Sequence, residues 1–545
     1  MADRKGRVVK QAAFLMTAQM ISSVIGLLYR SPLHAMMGDL GDGYYQFAYE
    51  WYTIILLIAS YSIPSAISKV MSERLAVGQY RNAQKVFKAA LIYVTIAGVI
   101  GALVAFFGGP LMLKSQPDAV LALRCLAPTI LLSGFLGAFR GFFQAHNTMK
   151  QTAVSQVAEQ IMNAVFSVLM AWLLARPYFG DEKLTGKFGA AGGTIGTGAG
   201  VLTGLLIMIF AYFLNRDYIN RRLRSDRHEN EESYGKVFRV ILLMCTPIIL
   251  ATCVYNMTVI VDQVIYTHFM NAHHYIPANI SKLYGLFGYR ARPIINIPIA
   301  LASATSTALI PAVASSMASD DMNGAVSKVD ESVKLTLFIA IPSAVGIAVL
   351  SYPVMFALFP SGGADGAAEL LTLSAVSVIF YSLSTVMNGV LQGSGYPSVP
   401  VRNAAIGLAV NVIVMVVMAG PLNLHIYSIV AAMVIYSLTV LVLNMVSIRR
   451  RLGYMPPLSI LAAPCKSALV MGLFIGAVYW IPALLLPSVF GRYVPSAILL
   501  IIAVLGGIVV YFAVYGRVSD LSDDEIRKMP MGGKILSVMQ RLGIR

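Results

Sequence analysis

Fourteen runs of about twenty mostly apolar residues, separated by charged or Gly/Pro-rich breaks, leave this chain one solvent in which to fold. Water cannot accommodate that much apolar surface. A bilayer can, because a helix closes its own backbone hydrogen bonds within each run. The runs lie near 12–34, 44–68, 86–112, 122–143, 152–175, 189–214, 238–267, 284–312, 333–359, 367–392, 399–420, 424–448, 462–486 and 495–516. With 57% hydrophobic and only 12% charged residues, the chain reads as an all-α polytopic membrane protein of 14 transmembrane helices.

The formal net charge of +16 would point to nucleic acid in a soluble protein, but no basic stripe with interleaved aromatics is present and no nucleic-acid partner is expected. Topology accounts for it better. Of the 41 lysines and arginines, seven fall in alternate loops (Lys114, Arg124, Arg176, Lys183, Lys187, Lys282, Arg492) and three within helices (Arg30, Arg290, Arg292), leaving 31 on the side of the N-terminus. That bias predicts both termini in the cytoplasm of a multi-pass plasma-membrane protein. The opening MADRKGRVVKQAAF has no cleavable small-residue site, so the first run is expected to be a retained helix. The four cysteines sit in apolar segments without paired spacing, and neither a disulfide nor a zinc site is expected.

The longest polar linker, Asn215 to Arg239, divides the chain into two sets of six spans, and its mixed charges read as a solvated connector. Expected domains are therefore 1–232, 233–450, a final pair of helices in 451–517, and a cytoplasmic tail, 518–545, in which Ser522 caps a short peripheral helix. The two sets resemble each other. Ile63-Pro64-Ser65-Ala66 matches Ile310-Pro311-Ala312-Val313 at an offset of 247, while Gly141-Phe142-Phe143-Gln144 matches Gly389-Val390-Leu391-Gln392, and Asn163 matches Asn411, at 248. An even number of spans gives the two lobes the same topology, related by an axis along the membrane normal, as in alternating-access transporters with a site between lobes.

Span eight, YGLFGYRARPIINIPIALASATSTALIP, carries Arg290 and Arg292 inside an apolar helix. A charge at that depth costs roughly 2.5 to 3.5 kcal/mol on insertion scales and should face a wet cavity or a partner, unless it snorkels to the headgroups. Pro293 and Pro298 predict a kink or local unwinding there. Arg30 ends span one; from different lobes, Arg30 and Arg292 are placed to converge on a central cavity, where guanidinium forks suit a diphosphate. Three acids in predicted helices, Glu50, Glu159 and Asp262, are expected to be partnered or to line that cavity, balancing the arginines, binding a coupling ion or taking a proton; Asn163 and Asn411 are further polar candidates. The close-spaced glycines of Gly189 to Gly200 follow no strand and open a membrane helix, so they read as small-residue packing rather than a dinucleotide loop. His273-His274 lies in a loop without further ligands in sequence. No Ser/His/carboxylate set, Walker loop or catalytic acid pair stands out: neither an enzyme, a cofactor nor a metal site is expected.

These motifs, GLLYR, GDGYYQ, SIPSAISK, RGFFQA, RARPIINIP to LIPAVAS, and NGVLQGSGYP, in a six-plus-six-plus-two order, resemble the multidrug/oligosaccharidyl-lipid/polysaccharide exporter superfamily. Within it they resemble the polysaccharide-biosynthesis branch that contains MurJ-type lipid II flippases and the sporulation protein SpoVB. The resemblance implies a V-shaped, MATE-like fold of two pseudo-symmetric six-helix lobes that carries an undecaprenyl-diphosphate-linked sugar from the inner to the outer leaflet by alternating access. It also implies that Arg30 and Arg292 engage the diphosphate, with Arg290 beside them, and that the last two spans hold the polyprenyl tail. The branch's span-two arginine has no counterpart, since YEWYTIILLIAS offers Glu50 and no base. The implied partners are a lipid-linked oligosaccharide and membrane lipids, with a monomeric protein. A cation-coupled multidrug exporter of the same fold and a flippase for another lipid-linked polysaccharide unit are the alternatives.

Overall fold

The computed structural model describes residues 18–61, 63–146, 148–226, 231–360, 362–486 and 493–519; the expected tail helix capped by Ser522 and the first residues of span one lie outside them. Twelve helices among the described residues are long and apolar enough to cross a membrane. The two remaining expected spans correspond to a shorter apolar helix, α1 (Ala18–Leu28), and to α9 (Tyr234–Ala272), a 39-residue helix. Large apolar side chains such as Phe107, Leu111, Phe210 and Leu214 lie 64 to 81% exposed on their outer faces, which a hydrocarbon solvent tolerates and water does not.

The chain divides into two compact units, Met1–Gly285 and Leu286–Arg545. In the first, α1 runs on through Tyr29 into α2 (Arg30–Leu56), since the Leu33 amide donates to the Tyr29 carbonyl. Gly38 then breaks the helical path with φ 68° and ψ −178°, a conformation that glycine reaches without a Cβ penalty. That break separates spans one and two. Span two loosens into a π-helical turn, Leu57–Tyr61, before α3 (Ile63–Ala76), because Pro64 has no N–H for the carbonyl four residues back. The remaining helices of the unit are α4 (Tyr80–Met112), α5 (Val120–Ala145), α6 (Met149–Ala175), α7 (Glu182–Leu214), α8 (Arg216–Arg224), α9 and α10 (Pro277–Gly285).

The glycine run does pack helix on helix. A Cβ at Gly192 would lie 2.4 Å from the Met170 carbonyl, at Gly196 2.1 Å from the Ser167 nitrogen, and at Gly200 2.6 Å from the Glu159 carbonyl. Backbone therefore meets backbone along the α6–α7 seam, and Ser167 Oγ fixes it by donating to the Gly193 carbonyl at 2.8 Å.

The linker is exposed along most of its described length, and it is also pinned to the first unit. Ile219 of α8 is buried, and Arg222 stacks over the rings of Tyr80 and Tyr218 at 5.2 and 5.0 Å. Beyond it, Glu232 Oε2 accepts from Arg74 Nε and Nη2 at 2.9 and 2.6 Å, Glu231 pairs with Lys85 at 2.6 Å, and Asp226 caps the Arg81 amide at 2.7 Å. The acids of the linker complement the bases around the α3–α4 turn. The hydrogen bond and charge of Lys85 hold the Glu231 carboxyl below the usual carboxylate range.

The second unit begins with a π-helical segment, Leu286–Ala291, where the Pro293 kink was expected, and continues into α11 (Arg292–Ala318), α12 (Met322–Val349), α13 (Ser351–Leu358), α14 (Ala364–Gly393), α15 (Ser398–Ala419) and α16 (Tyr427–Leu452). The last pair, α17 (Ala462–Leu485) and α18 (Tyr493–Val518), docks on α12 and α13: Tyr511 Oη donates to the Phe338 carbonyl at 2.9 Å, Trp480 Nε1 to that of Val349 at 3.3 Å, and Tyr493 Oη to that of Ala357 at 3.0 Å.

The internal repeat is visible in packing, in a different register from the one the letters gave. A Cβ at Gly141 would meet the Pro64 carbonyl at 2.8 Å and Ile67 Cβ at 3.0 Å; one at Gly393 would meet the Ile310 carbonyl at 2.7 Å and Val313 Cβ at 3.0 Å. Gly137 and Gly389 likewise lie over the carbonyls of Ser60 and Ser306. Gly141 therefore corresponds to Gly393 rather than Gly389. The four-residue slip is one helical turn, which keeps an apolar helix on the same face and so escapes a comparison of letters.

Candidate polar cavity and the buried arginines

Within the first unit, polar side chains recur along one face of α1 at Gln19, Ser22 and Ser23, followed on the same face by Gly26, a spacing of three and four that places Arg30 next on the stripe. A similar stripe on α6 runs through Gln156, Glu159, Gln160, Asn163 and Ser167. Gln19, Ser22, Ser23 and Gly26 of α1 and Gln156, Glu159 and Gln160 of α6, with Arg140 from α5, line a cavity of about 270 Å³. Arg140 Nη2 donates to Glu159 Oε2 at 2.7 Å, and its Nε and Nη2 reach Ser155 Oγ at 3.1 and 3.0 Å. Both members of the pair are less than one-fifth exposed. Arg30, half-buried, and Glu159 both act electrostatically on the Tyr49 hydroxyl, so the structure brings these two predicted residues to one neighbourhood. Arg140, by contrast, was not singled out from sequence. The signal for it was Glu159 itself, an acid at membrane depth that needed a base on an adjacent helix.

The other acids are placed elsewhere in the unit. Glu50 is buried on α2, accepts from Gln46 Nε2 at 3.0 Å through Oε1, and receives the Tyr284 hydroxyl on Oε2. Tyr284 also stacks on Phe47 with ring centroids 4.3 Å apart, so this carboxylate helps to fasten α10 to α2. Asp262 lies buried in α9, beside Gln263, whose Nε2 donates to the Phe47 carbonyl at 3.3 Å. Asn163 accepts from Ser167 Oγ at 2.9 Å in the α6–α7 seam.

The second unit holds Arg290, Arg292 and Asn411. Arg290 is fully buried: its Nη1 donates to the Gly362 carbonyl at 2.8 Å and its guanidinium lies 5.1 Å from the centre of the Phe359 ring. It is neither snorkelled nor lipid-facing. Its charge ties the π-helical segment to the turn before α14. Arg292, two residues on and half-buried, lies 5.7 Å from the centre of the Phe287 ring. Asn411 is fully buried in α15. A separate buried network joins α14, α15 and α16, where Asn403 Nδ2 donates to Asn444 Oδ1 at 2.9 Å and Asn444 Nδ2 to Asn388 Oδ1 at 2.7 Å.

With this arrangement in view, the profile described as "polysaccharide biosynthesis protein" matches residues 8–317, more than half the chain, and the MatE profile matches 291–417. The chain belongs to the polysaccharide biosynthesis protein family of the multidrug/oligosaccharidyl-lipid/polysaccharide exporter superfamily. It is 25% identical over 519 residues to the lipid II flippase MurJ of Bacillus subtilis (strain 168), covering 91% of this chain and 92% of that protein. It is 22% identical over 409 residues to stage V sporulation protein B of the same organism, covering 74% and 76%. Its fold is similar to that of a lipid II flippase MurJ in an inward closed conformation, at TM-score 0.65 and 16% identity over 92% of this chain and 97% of that one. An inward-facing multidrug-resistance MATE transporter aligns at TM-score 0.66 and 14% identity over 81% and 98%. The family member is thus a MATE-like multi-pass membrane protein related to lipid-linked flippases.

Proposed function

We propose that the protein flips a polyprenyl-diphosphate-linked saccharide, with lipid II as the first candidate, by alternating access between two lobes in the plasma membrane, with both termini in the cytoplasm. The observation that carries this reading is the engagement of Glu159 by Arg140 at 2.7 Å. Of the two acids that suited a cation-coupled drug exporter, Glu159 and Asp262, the first already has a cation, while Arg30 and Arg292 are half-buried in α2 and α11, which carry no other lysine or arginine. Guanidinium forks at those two positions suit the two phosphates of a diphosphate, a demand that a hydrophobic cation does not make. The extent of similarity to MurJ supports the same substrate class. Arg290 serves in this reading to position the segment that carries Arg292. The family's description as polysaccharide biosynthesis keeps a second lipid-linked glycan as the alternative cargo.

The test is complementation in cells depleted of their lipid II flippase. The wild-type chain should restore growth, and Arg30→Ala or Arg292→Ala should abolish it at normal protein levels. Full growth with both substitutions together refutes the assignment, and mass spectrometry of co-purifying lipids separates lipid II from another polyprenyl-linked glycan.

A further inference from the structure

The break at Gly38 gathers three side chains that neither the sequence reading nor the flippase assignment uses. His34 lies one turn before the break, Asp39 directly after it and Asp42 one turn further. Nitrogen and carboxylate donor atoms of the three all fall within 4.8 Å of one another, and His34 Nδ1 is 3.0 Å from Asp42 Oδ2. His34 is 3% exposed and Asp42 is completely buried. Their seclusion comes from close backbone approach: a Cβ at Gly186 would lie 2.9 Å from the Gly41 nitrogen, and one at Gly285 2.9 Å from Asp42 Cβ.

We propose that His34, Asp39 and Asp42 bind one divalent transition-metal ion of the zinc class. One imidazole nitrogen and two carboxylates are the donor set of zinc, manganese or cobalt(II), whereas calcium and magnesium prefer all-oxygen shells. At metal–ligand lengths of about 2.0 to 2.2 Å, neighbouring donors on one ion stand roughly 3.0 to 3.5 Å apart, the range of the His34–Asp42 separation. A divalent ion with two carboxylates and a neutral imidazole is also electrically neutral, which suits a site where His34 and Asp42 are buried and Asp39 is half-buried. The bound ion would pin the end of span one to the start of span two, across the one glycine that separates them.

The experiment uses the full-length purified protein in detergent, stripped with chelator and then dialysed against Zn²⁺ alone, with bound metal counted by mass spectrometry. One ion per chain is expected, with affinity weakened at least about tenfold by Asp39→Asn and by His34→Gln, since losing a ligand should cost no less than losing its supporting contacts. The His273→Ala/His274→Ala variant, which removes the adjacent histidines elsewhere in the unit, should bind as the wild type does. Zn²⁺ should raise the melting temperature of the wild type and not that of Asp39→Asn. If either substitution prevents folding, Co²⁺ added to the wild type decides: a d–d absorption band of a nitrogen/oxygen site that saturates at one equivalent supports the proposal. Absence of stoichiometric binding, binding unchanged by Asp39→Asn, or loss of binding in the His273/His274 variant overturns it, and reduces the His34–Asp42 contact to a hydrogen bond. None of these readouts depends on flippase activity.

Discussion

Replacing Gly196 by alanine adds one methyl group to the tightest point of the α6–α7 seam. Its Cβ would fall 2.1 Å from the Ser167 nitrogen, 2.2 Å from Oγ and 2.3 Å from Cα, where ordinary contact begins near 3.4 Å. Two of those three atoms are backbone, so rotating a side chain cannot relieve the overlap, and α7 must retreat by about 1.3 Å locally. A gap of about 0.5 to 1 Å already forfeits roughly a quarter to a half of the dispersion energy of the atoms it separates, and this one is wider. It also stretches the 2.8 Å bond from Ser167 Oγ to the Gly193 carbonyl, a type of contact worth about 0.6 kcal/mol within a membrane. With overpacking at about 1 to 3 kcal/mol, the expected loss is about 2 to 4 kcal/mol. Gly204→Ala is the matched control, because its Cβ would meet nothing closer than 3.4 Å and alanine is the better helix former by up to about 1 kcal/mol. Thermal melting in detergent, followed by loss of the monodisperse peak, should place Gly196→Ala several degrees below the wild type and Gly204→Ala at or above it. Equal melting temperatures for the two variants refute the claim that backbone proximity at this seam sets stability.

Three further expectations rest on charged contacts. Arg140→Ala and Glu159→Gln should each destabilise the protein, and the double variant should recover part of the loss, with a coupling on the order of 2 kcal/mol in a thermal-melting double-mutant cycle; strictly additive losses contradict a paired site. Arg290→Lys keeps the charge but loses the planar group over Phe359 and the Nη1 bond to Gly362, so it should lower stability by about 1 to 3 kcal/mol, again read by melting. Because the folded-state pKa of Glu231 is depressed, its contribution is present above the unfolded carboxyl value and is lost as pH falls through the folded one. Proteolytic nicking of the linker should therefore rise as the pH falls below the ordinary carboxyl value of 4.5, and Glu231→Gln should raise it already at neutral pH and flatten its dependence on acid.

The membrane class was legible because length and apolarity together admit a single solvent, and the π-helical segment was legible because Pro293 removes a donor wherever it sits in a helix. The glycine run was equally readable, since a residue without a side chain in an apolar helix is useful chiefly where another backbone approaches. Long-range charge pairing was not readable in this way. Arg140 and Glu159 are 19 residues apart on different helices, and Arg74 and Glu232 are 158 apart, so no local period links either pair. The ion pairs of the linker were hidden for the same reason, since its acids meet bases of the α3–α4 turn far earlier in the chain. The polar stripes on α1 and α6 did carry a period of three and four, and following that period from Arg30 back to Gln19 would have marked the cavity.

The arrangement of acids also bears on which cargo this fold can serve. A cation-coupled cycle requires a carboxylate that exchanges its partner for the cation and takes it back. Glu159 would have to surrender Arg140 and then leave that guanidinium in a cavity wall, held by Ser155 and without its carboxylate. Glu50 would have to release Gln46 and the Tyr284 hydroxyl, and so loosen α10 from α2 in every turnover. An anionic headgroup makes neither demand, because it does not compete with Arg140 or with the Tyr284 hydroxyl for a carboxylate, and the existing pairs can stay closed while it passes.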